Sequence, residues 1–315
     1  MNKTTSSSEL VNKKSKAQKE SRNKRFVSGK KIINLIFTII IFLLILVVFF
    51  LPFAWALGNS FRPSTYIWSN VFPVSWKTFI PGREFTLEGY KDALGISVIG
   101  ASRGMNLGRS LMVSAGSAIS VVCLSLLFNT CAAYFFGRLK FPGKKYLMAY
   151  VLITMMIPQQ VVIVPLFMVI RQLGLYDNFW ALVVPWYASP FIVFSLTQFL
   201  SDLPYELDEA AIMDGANLWQ ILWQVVVPNS LPGLITVSLL EFQFVWNEFY
   251  WPLIAVASRK LQPVQVAIAM QFSENEANWG RVFSAIVLAS LPVIVLFLSL
   301  QKYYFEDIAL TGIKG

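Results

Sequence analysis

The sequence predicts an all-α membrane protein with six transmembrane helices and both termini on the cytoplasmic side. Three observations carry this. Of 315 residues, 56% are hydrophobic and 14% charged, with mean hydropathy +0.59, too little charge for an ordinary soluble surface. Several long runs carry no charge at all. The positive charge is also gathered at one end. Residues 1–31 hold ten Lys/Arg against Glu9 and Glu20, so eight of the net +9 sit there.

The basic tail (1–31) runs straight into an apolar segment. It reads as a juxtamembrane anchor for lipid and not as a nucleic-acid arm, each cation near an anionic surface contributing about 1 kcal/mol. Its Ser/Lys/Asn-rich composition predicts disorder. A crossing helix needs about 20 mainly apolar residues. Ile32–Leu57 meets this without a charge. Ala54-Trp55-Ala56 resembles a signal cleavage site, but the run exceeds the about 7–15 residues of a signal core, so a retained first span is expected. Residues 58–105 form an extracytoplasmic segment rich in Pro, Gly and Trp (Pro63, Trp68, Pro73, Trp76, Pro81), either a small cap or an irregular loop. Gly100, Gly104 and Gly108 have the small-xxx-small spacing of close helix contacts. The remaining spans, in the core 106–302, are Asn106–Phe136, Tyr146–Ile170, Asn178–Ser201, Asn229–Ser258 and Val282–Gln301, followed by a cytoplasmic tail, 303–315. The fifth is interrupted only by Glu241 and Glu248.

With the N-terminus inside, 16 of the 26 Lys/Arg fall on inner segments and ten on outer ones. The segment 202–230 has none, so its inner placement rests on counting spans. Cys123 and Cys131 lie in one apolar span and read as small hydrophobes. There is no histidine, which removes Ser-His-Asp and Cys-His catalysis and imidazole metal sites. No catalytic residue, metal site or cofactor is expected. Gly143-Lys144-Lys145 lacks the upstream glycine and the Ser/Thr of a phosphate-binding loop, so the chain cannot hydrolyse ATP by itself.

The stretch Asp208–Trp219, DEAAIMDGANLW, is acidic and built from small residues. Pro204 suits a first helical turn, and Glu206, Asp208 and Glu209 complement the helix dipole there. Asp214-Gly215 predicts a stop with Gly215 left-handed, and Asn217 a cap for a second helix running to Pro228. Ala210, Ala211, Gly215 and Ala216 allow another surface to approach the backbone. An interfacial lipid-binding helix would favour Lys/Arg on its polar face, so a protein partner explains the stretch better.

Glu209-Ala210-Ala211, Gly215 and Pro228 match the EAA loop of ABC importer permeases in residue type and spacing, with Val225 and Val227 in place of Ile and Leu. Further segments resemble the carbohydrate-type subfamily typified by the maltose permease. These are Ala132-Ala133-Tyr134 with Gly137-Arg138 and Phe141-Pro142-Gly143-Lys144, Leu173-Gly174-Leu175 with Asn178, Trp246-Asn247-Glu248-Phe249 with Trp251-Pro252-Leu253, and the ending Thr311–Gly315. Arg109-Ser110 departs from the Asn-Ser common among relatives. The likeness covers about Ile32–Gly315.

The resemblance implies a type I, MetI-like permease fold in a bacterial cell membrane. It implies a homologous second permease, a dimer of ATP-binding subunits, an external solute-binding protein and a carbohydrate as cargo. By position, Glu209, Ala210, Ala211 and Gly215 would dock on the ATPase, with Asp214 and Pro228 shaping the bend and exit. Gly312, Lys314 and Gly315 at the C-terminus would touch the same subunit. Glu241 and Glu248, seven residues apart on one helix face, would with Gln243 and Asn247 line the translocation path, or else brace span five against a neighbour. Other cargoes (a polyamine, glycerol phosphate) remain alternatives, as does an ion-coupled secondary transporter, for which no internal repeat is evident.

Overall fold

The computed structural model describes residues 5–70, 75–98, 100, 106–272 and 278–312, and every regular element among them is helical. The chain divides into two units, Met1–Leu57 and Gly58–Gly315. In the first, α1 (Thr5–Asn59) is one helix. It starts well inside the tail whose composition predicts disorder. That tail has no proline and only Gly29 as a glycine, so no backbone feature breaks a helix there.

The second unit contains α2 (Glu88–Leu94), α3 (Leu107–Arg138), α4 (Lys144–Thr154), α5 (Gln159–Gln172), α6 (Pro190–Asp202), α7 (Glu206–Met213), α8 (Leu218–Asn229), α9 (Leu231–Asn247), α10 (Tyr250–Ala255), α11 (Val264–Phe272) and α12 (Trp279–Gly312). Among the described residues, three helical stretches are long and apolar enough to cross a membrane: Ile33–Asn59, Leu107–Arg138 and Trp279–Lys302. The pairs α4–α5 and α8–α9 qualify together but are bent by 97° and 81°. The expected spans thus include broken helices.

Proline accounts for the α4–α5 break and for the end of α9. A helical proline donates no hydrogen bond to the carbonyl four residues earlier and clashes with it. Pro158 stands four residues after Thr154, where α4 ends. Pro252 stands four after Glu248, which has left the helix at ψ 130°. Pro228 stands four after Gln224, inside the π-helical turn Ile221–Val226 of α8. It does not stop that helix, as the sequence suggested, but is accommodated by the wider turn. Pro185 and Pro190 divide the expected fourth span. Only a 3₁₀ turn (Phe179–Leu182) and the 13-residue α6 remain, the latter about 20 Å long against a hydrocarbon core of about 30 Å.

Backbone that leaves the helix inside an apolar bundle needs side-chain partners. Asn129 of α3 donates to the Tyr187 carbonyl at 3.0 Å, and the Trp251 indole to that of Ala181 at 2.8 Å. Ser114 Oγ accepts from Val264 N, 2.8 Å, at the start of α11. The polar positions Ser114, Ser125 and Asn129 of α3 are all buried, so this long helix is the post to which the irregular segments are tied. Around it lie two apolar clusters. One joins α3, α9, α11 and α12 through Val121, Phe242, Trp246, Ile268 and Ala285; the other joins α3, α6, α7, α8 and α9.

The described residues 58–70 and 75–98 form a cap of short helices and not an irregular loop. The buried Arg62 guanidinium donates to Asn59 Oδ1 (3.0 Å) and to the carbonyls of Lys77, Thr78 and Ile80. α2 lies against the start of α12 so closely that a Cβ on Gly89 would stand 2.7 Å from the Gly280 carbonyl oxygen. Of the three spaced glycines, Gly100 sits directly against the Asp92 backbone, while Gly104 lies outside the described residues.

Asp177, at φ +56°, joins the loop after α5 to the loop after α10. Its carboxylate accepts from Ala257 N (3.0 Å), Ser258 N (2.8 Å) and Ser258 Oγ. The bonds from Ser258 hold this carboxyl below its ordinary pKa. The stabilisation is therefore complete above the unfolded carboxyl pKa and is lost as pH falls through the lowered folded value. Acidification is expected to lower the protection factors of the Ala257 and Ser258 amides, taken against the unstructured chain at the same pH, and Asp177→Asn to remove that pH dependence. In the interior, Asn129→Leu should destabilise the protein by about 1–3 kcal/mol by orphaning the Tyr187 carbonyl. Thermal unfolding in detergent against wild type measures this.

Candidate functional site

The acidic stretch folds as its residues direct. The Tyr205 carbonyl accepts from the backbone N–H groups of Asp208 and Glu209 at the start of α7, with Pro204 just outside the helix and not in its first turn. At the other end Gly215 adopts φ +83°. Ala216 N donates to Ala211 O (2.9 Å) and Gly215 N to Ile212 O (3.0 Å), the paired bonds of a left-handed helix stop. Asn217 then opens α8 with a reciprocal cap. Its Oδ1 accepts from Gln220 N at 3.0 Å, and Gln220 Oε1 from Asn217 N at 2.8 Å.

What holds this helix–bend–helix unit is a residue for which the sequence reading had no partner. Arg138, the last residue of α3, has a side chain with no exposed surface. Its Nε donates to Asp208 Oδ2 (3.0 Å) and its Nη2 to Oδ1 (2.9 Å), a two-point pair. Nη1 donates to the carbonyls of Leu200 (3.3 Å) and Leu203 (2.6 Å), and Nη2 to that of Pro204 (2.9 Å). The Leu200 carbonyl is the one that Pro204 leaves without a helical donor. The Tyr205 ring covers the guanidinium at 4.4 Å. Asp208, read from sequence as a dipole partner, is thus a buried counter-ion. A lone arginine at the end of an apolar span is a legible signal. Its partner 70 residues away is not.

The expected contact residues do not all face one way. Glu209, Ala210, Asp214, Gly215 and Pro228 are exposed, whereas Ala211 is buried among Ala133, Tyr134, Leu200 and Leu222. Its small size lets α7 approach its own bundle and does not serve a partner directly. Beside the exposed residues stand Ile212, Met213, Leu218 and Trp219, from 53% to 86% exposed, an apolar surface the sequence reading did not include. Gly312 closes α12; Lys314 and Gly315 lie outside the described residues.

The second candidate set divides as well. Gln243, Asn247 and Glu248, with Leu240 and Phe244, line a shallow concavity of about 380 Å³. Glu241 is buried and does not line it. The shared face expected for Glu241 and Glu248 fails because α9 ends at Asn247 and Glu248 turns out of the helix. The Glu248 carboxylate accepts from Trp251 N (3.1 Å) and from Gln159 Nε2 (3.3 Å), so one oxygen caps α10 and the other reaches α5. A larger groove of about 510 Å³ between α3, α9 and α12 is lined almost wholly by apolar side chains, which suits hydrocarbon better than a polar solute.

The family described as binding-protein-dependent transport system inner membrane component matches residues 129–308, which include Arg138, α7, α8 and α9. The chain belongs to this family. The trehalose/maltose transport system permease protein MalG of Thermococcus litoralis is 30% identical to it over 290 residues, 91% of this chain and 99% of the relative. The trehalose transport system permease protein SugB of Mycobacterium tuberculosis is 29% identical over 269 residues, 84% and 92% of the two chains. A bacterial ABC transporter involved in import of the acidic polysaccharide alginate superposes with TM-score 0.74 at 21% identity, covering 88% of this chain and 98% of that one. The permease thus has the type I, MetI-like importer fold and is a membrane protein. It is a non-catalytic transport subunit, and it works with a separate ATPase and a binding protein.

In the permease, removing one partner of the Arg138–Asp208 pair leaves a buried charge uncompensated, a loss of about 3–5 kcal/mol. Arg138→Ala should therefore melt α7 locally, read as faster amide exchange across Glu206–Met213. Arg138→Lys should rescue it only in part, because an ammonium group cannot make the two-point contact.

Proposed function

We propose that the surface of α7 and α8 is the docking site for the ATPase. The observation that carries this is the exposed set Glu209, Ala210, Asp214 and Gly215, bordered by Ile212, Met213, Leu218 and Trp219 and anchored from behind by Arg138. Small residues admit a partner's surface, the apolar border gives area to bury, and the salt bridge transmits force to α3 and α6. Pro228, exposed just beyond the π-wound turn, shapes the exit toward α9. Gly312, Lys314 and Gly315 are assigned a secondary contact with the same subunit.

On this reading the assembly pairs the permease with a homologous second permease, a dimer of ATP-binding subunits and an external solute-binding protein. It sits as a multi-pass protein in a bacterial cell membrane with both termini cytoplasmic. Its parts are the basic tail 1–31, the first span 32–57, the external cap 58–105, the core 106–302 with coupling segment 202–230, and the tail 303–315. The cargo is a sugar or oligosaccharide, a reading supported by two relatives named for trehalose and for trehalose/maltose. Gln243, Asn247 and Glu248 offer amide and carboxylate groups to a polar solute along the path, and the buried Glu241 braces α9.

Gly215→Trp tests the docking surface. Nothing lies within 4 Å of a Cβ placed at Gly215, so the side chain meets no clash inside the chain. The left-handed backbone adds about 1–2 kcal/mol of strain. Transport and ATPase association should be abolished while membrane insertion is kept; normal uptake would overturn the assignment. For the cargo, calorimetry of the cognate binding protein against di- and oligosaccharides should give a heat of binding. Binding only of a polyamine or glycerol phosphate would replace the sugar reading.

A further inference from the structure

Two helices of the core are interrupted, and the pieces beyond the interruptions are joined to each other. α5 follows the break at Met155–Pro158, and α10 follows the break at Glu248–Phe249. At the broken ends, Glu248 accepts from Gln159 Nε2, on the first residue of α5, and from the backbone N–H of Trp251 in α10. At the far ends, Asp177 N donates to Ala255 O (3.0 Å), and the Asp177 carboxylate holds Ala257 and Ser258. Between these ties lies an apolar cluster of Ile170, Ala181, Leu182, Trp251, Ala255 and Val256, crossed by the Trp251–Ala181 hydrogen bond.

We propose that α5, residues 173–182 and α10 move as one rigid block during transport, with Glu248 the positioning residue that clamps the two helices at their hinge end. Separating α5 from α10 would break both ties, the indole bond and the apolar cluster together. Rotation about 155–158 and about the Asn247–Glu248 link, which carries the Glu248 side chain along with the block, breaks none of these contacts. At both points proline has already removed a helical hydrogen bond, since Pro158 cannot donate to Thr154 nor Pro252 to Glu248. The hinges thus lie where the backbone is already interrupted, and the ties lie where independent bending would otherwise occur. One carboxylate serves both helices because each of its oxygens takes a donor from a different one.

This goes beyond the docking surface; only the trigger of the motion rests on ATPase coupling. The test uses the assembled importer in nanodiscs, with Cys123 and Cys131 replaced by serine, and spin-label pairs at Val164/Ile254 within the block and Tyr150/Val164 across the hinge. All three positions are exposed. On trapping with ATP and vanadate, the Tyr150/Val164 distance is expected to shift and the Val164/Ile254 distance to stay. Glu248→Leu should broaden the Val164/Ile254 distribution. Glu248→Gln should keep it narrow, because its Oε1 still accepts from Trp251 N while the Gln159 amide turns its oxygen to the new NH₂. Should Glu248→Leu fail to fold, Gln159→Leu is expected to broaden the same distribution with the α10 cap intact. A Val164/Ile254 distance that shifts with nucleotide, or one as narrow in the leucine variants as in wild type, would overturn the clamp. Loss of the ATPase from the purified assembly, read on a gel, speaks separately against the docking reading.

Discussion

The buried ion pair between Arg138 and Asp208 is the constraint on which the functional end of the permease depends. A charge without exposed surface at the end of an apolar helix is tolerable only if its donors are used, and Arg138 uses them on one carboxylate and three carbonyls. Those acceptors belong to α6, to the turn after it and to α7. One side chain thus fixes the relative positions of three elements. The helix α7 is short and its outward face is left open, so its orientation cannot come from its own length. It comes from this pair and from Ala211 packed behind it.

The same logic recurs through the core. Where the backbone leaves the helix in an apolar setting, side chains from elsewhere take up several of the groups left without helical partners. Arg138 takes the Leu200 carbonyl, Asn129 that of Tyr187 and the Trp251 indole that of Ala181. Glu248 takes the orphan Trp251 N–H. The irregular segments are therefore points where helices are tied together, and they coincide with the residues that resemble the family: Gly137-Arg138, the loop ending at Asn178, and Trp246–Leu253.

Much of the site was readable in one dimension because its signals are local. Gly215 as a left-handed stop, Asn217 as a cap and the acidic first turn of α7 each depend on neighbours within four residues. The spacing of Glu209, Ala210, Ala211, Gly215 and Pro228 carries the family without any contact being known. Where the reading went astray, the deciding partner was distant. Ala211 faces inward because α3 and α6 lie behind it. Glu248 leaves the face of Glu241 because Pro252 ends the helix, and Gln159 then gives its carboxylate a partner. Hydropathy marks an apolar span wherever charge is absent, but it does not register a proline that breaks an uncharged helix.

By itself the sequence determined the class of the protein and its helical composition. Composition, periodicity and local caps suffice for these, since each is a property of a residue and its near neighbours. The spacing of Glu209, Ala210, Ala211, Gly215 and Pro228 added the resemblance to the family, and the resemblance alone implied a separate ATPase. Only the tertiary structure decided that Arg138 pairs with Asp208, that Arg62 closes a cap from residues 58–70 and 75–98, and that two broken helices meet at Glu248. Each of these places side chains and backbone from distant segments within about 3 Å, the range of a hydrogen bond. Such proximity is created by packing the helices together and leaves no pattern along the chain.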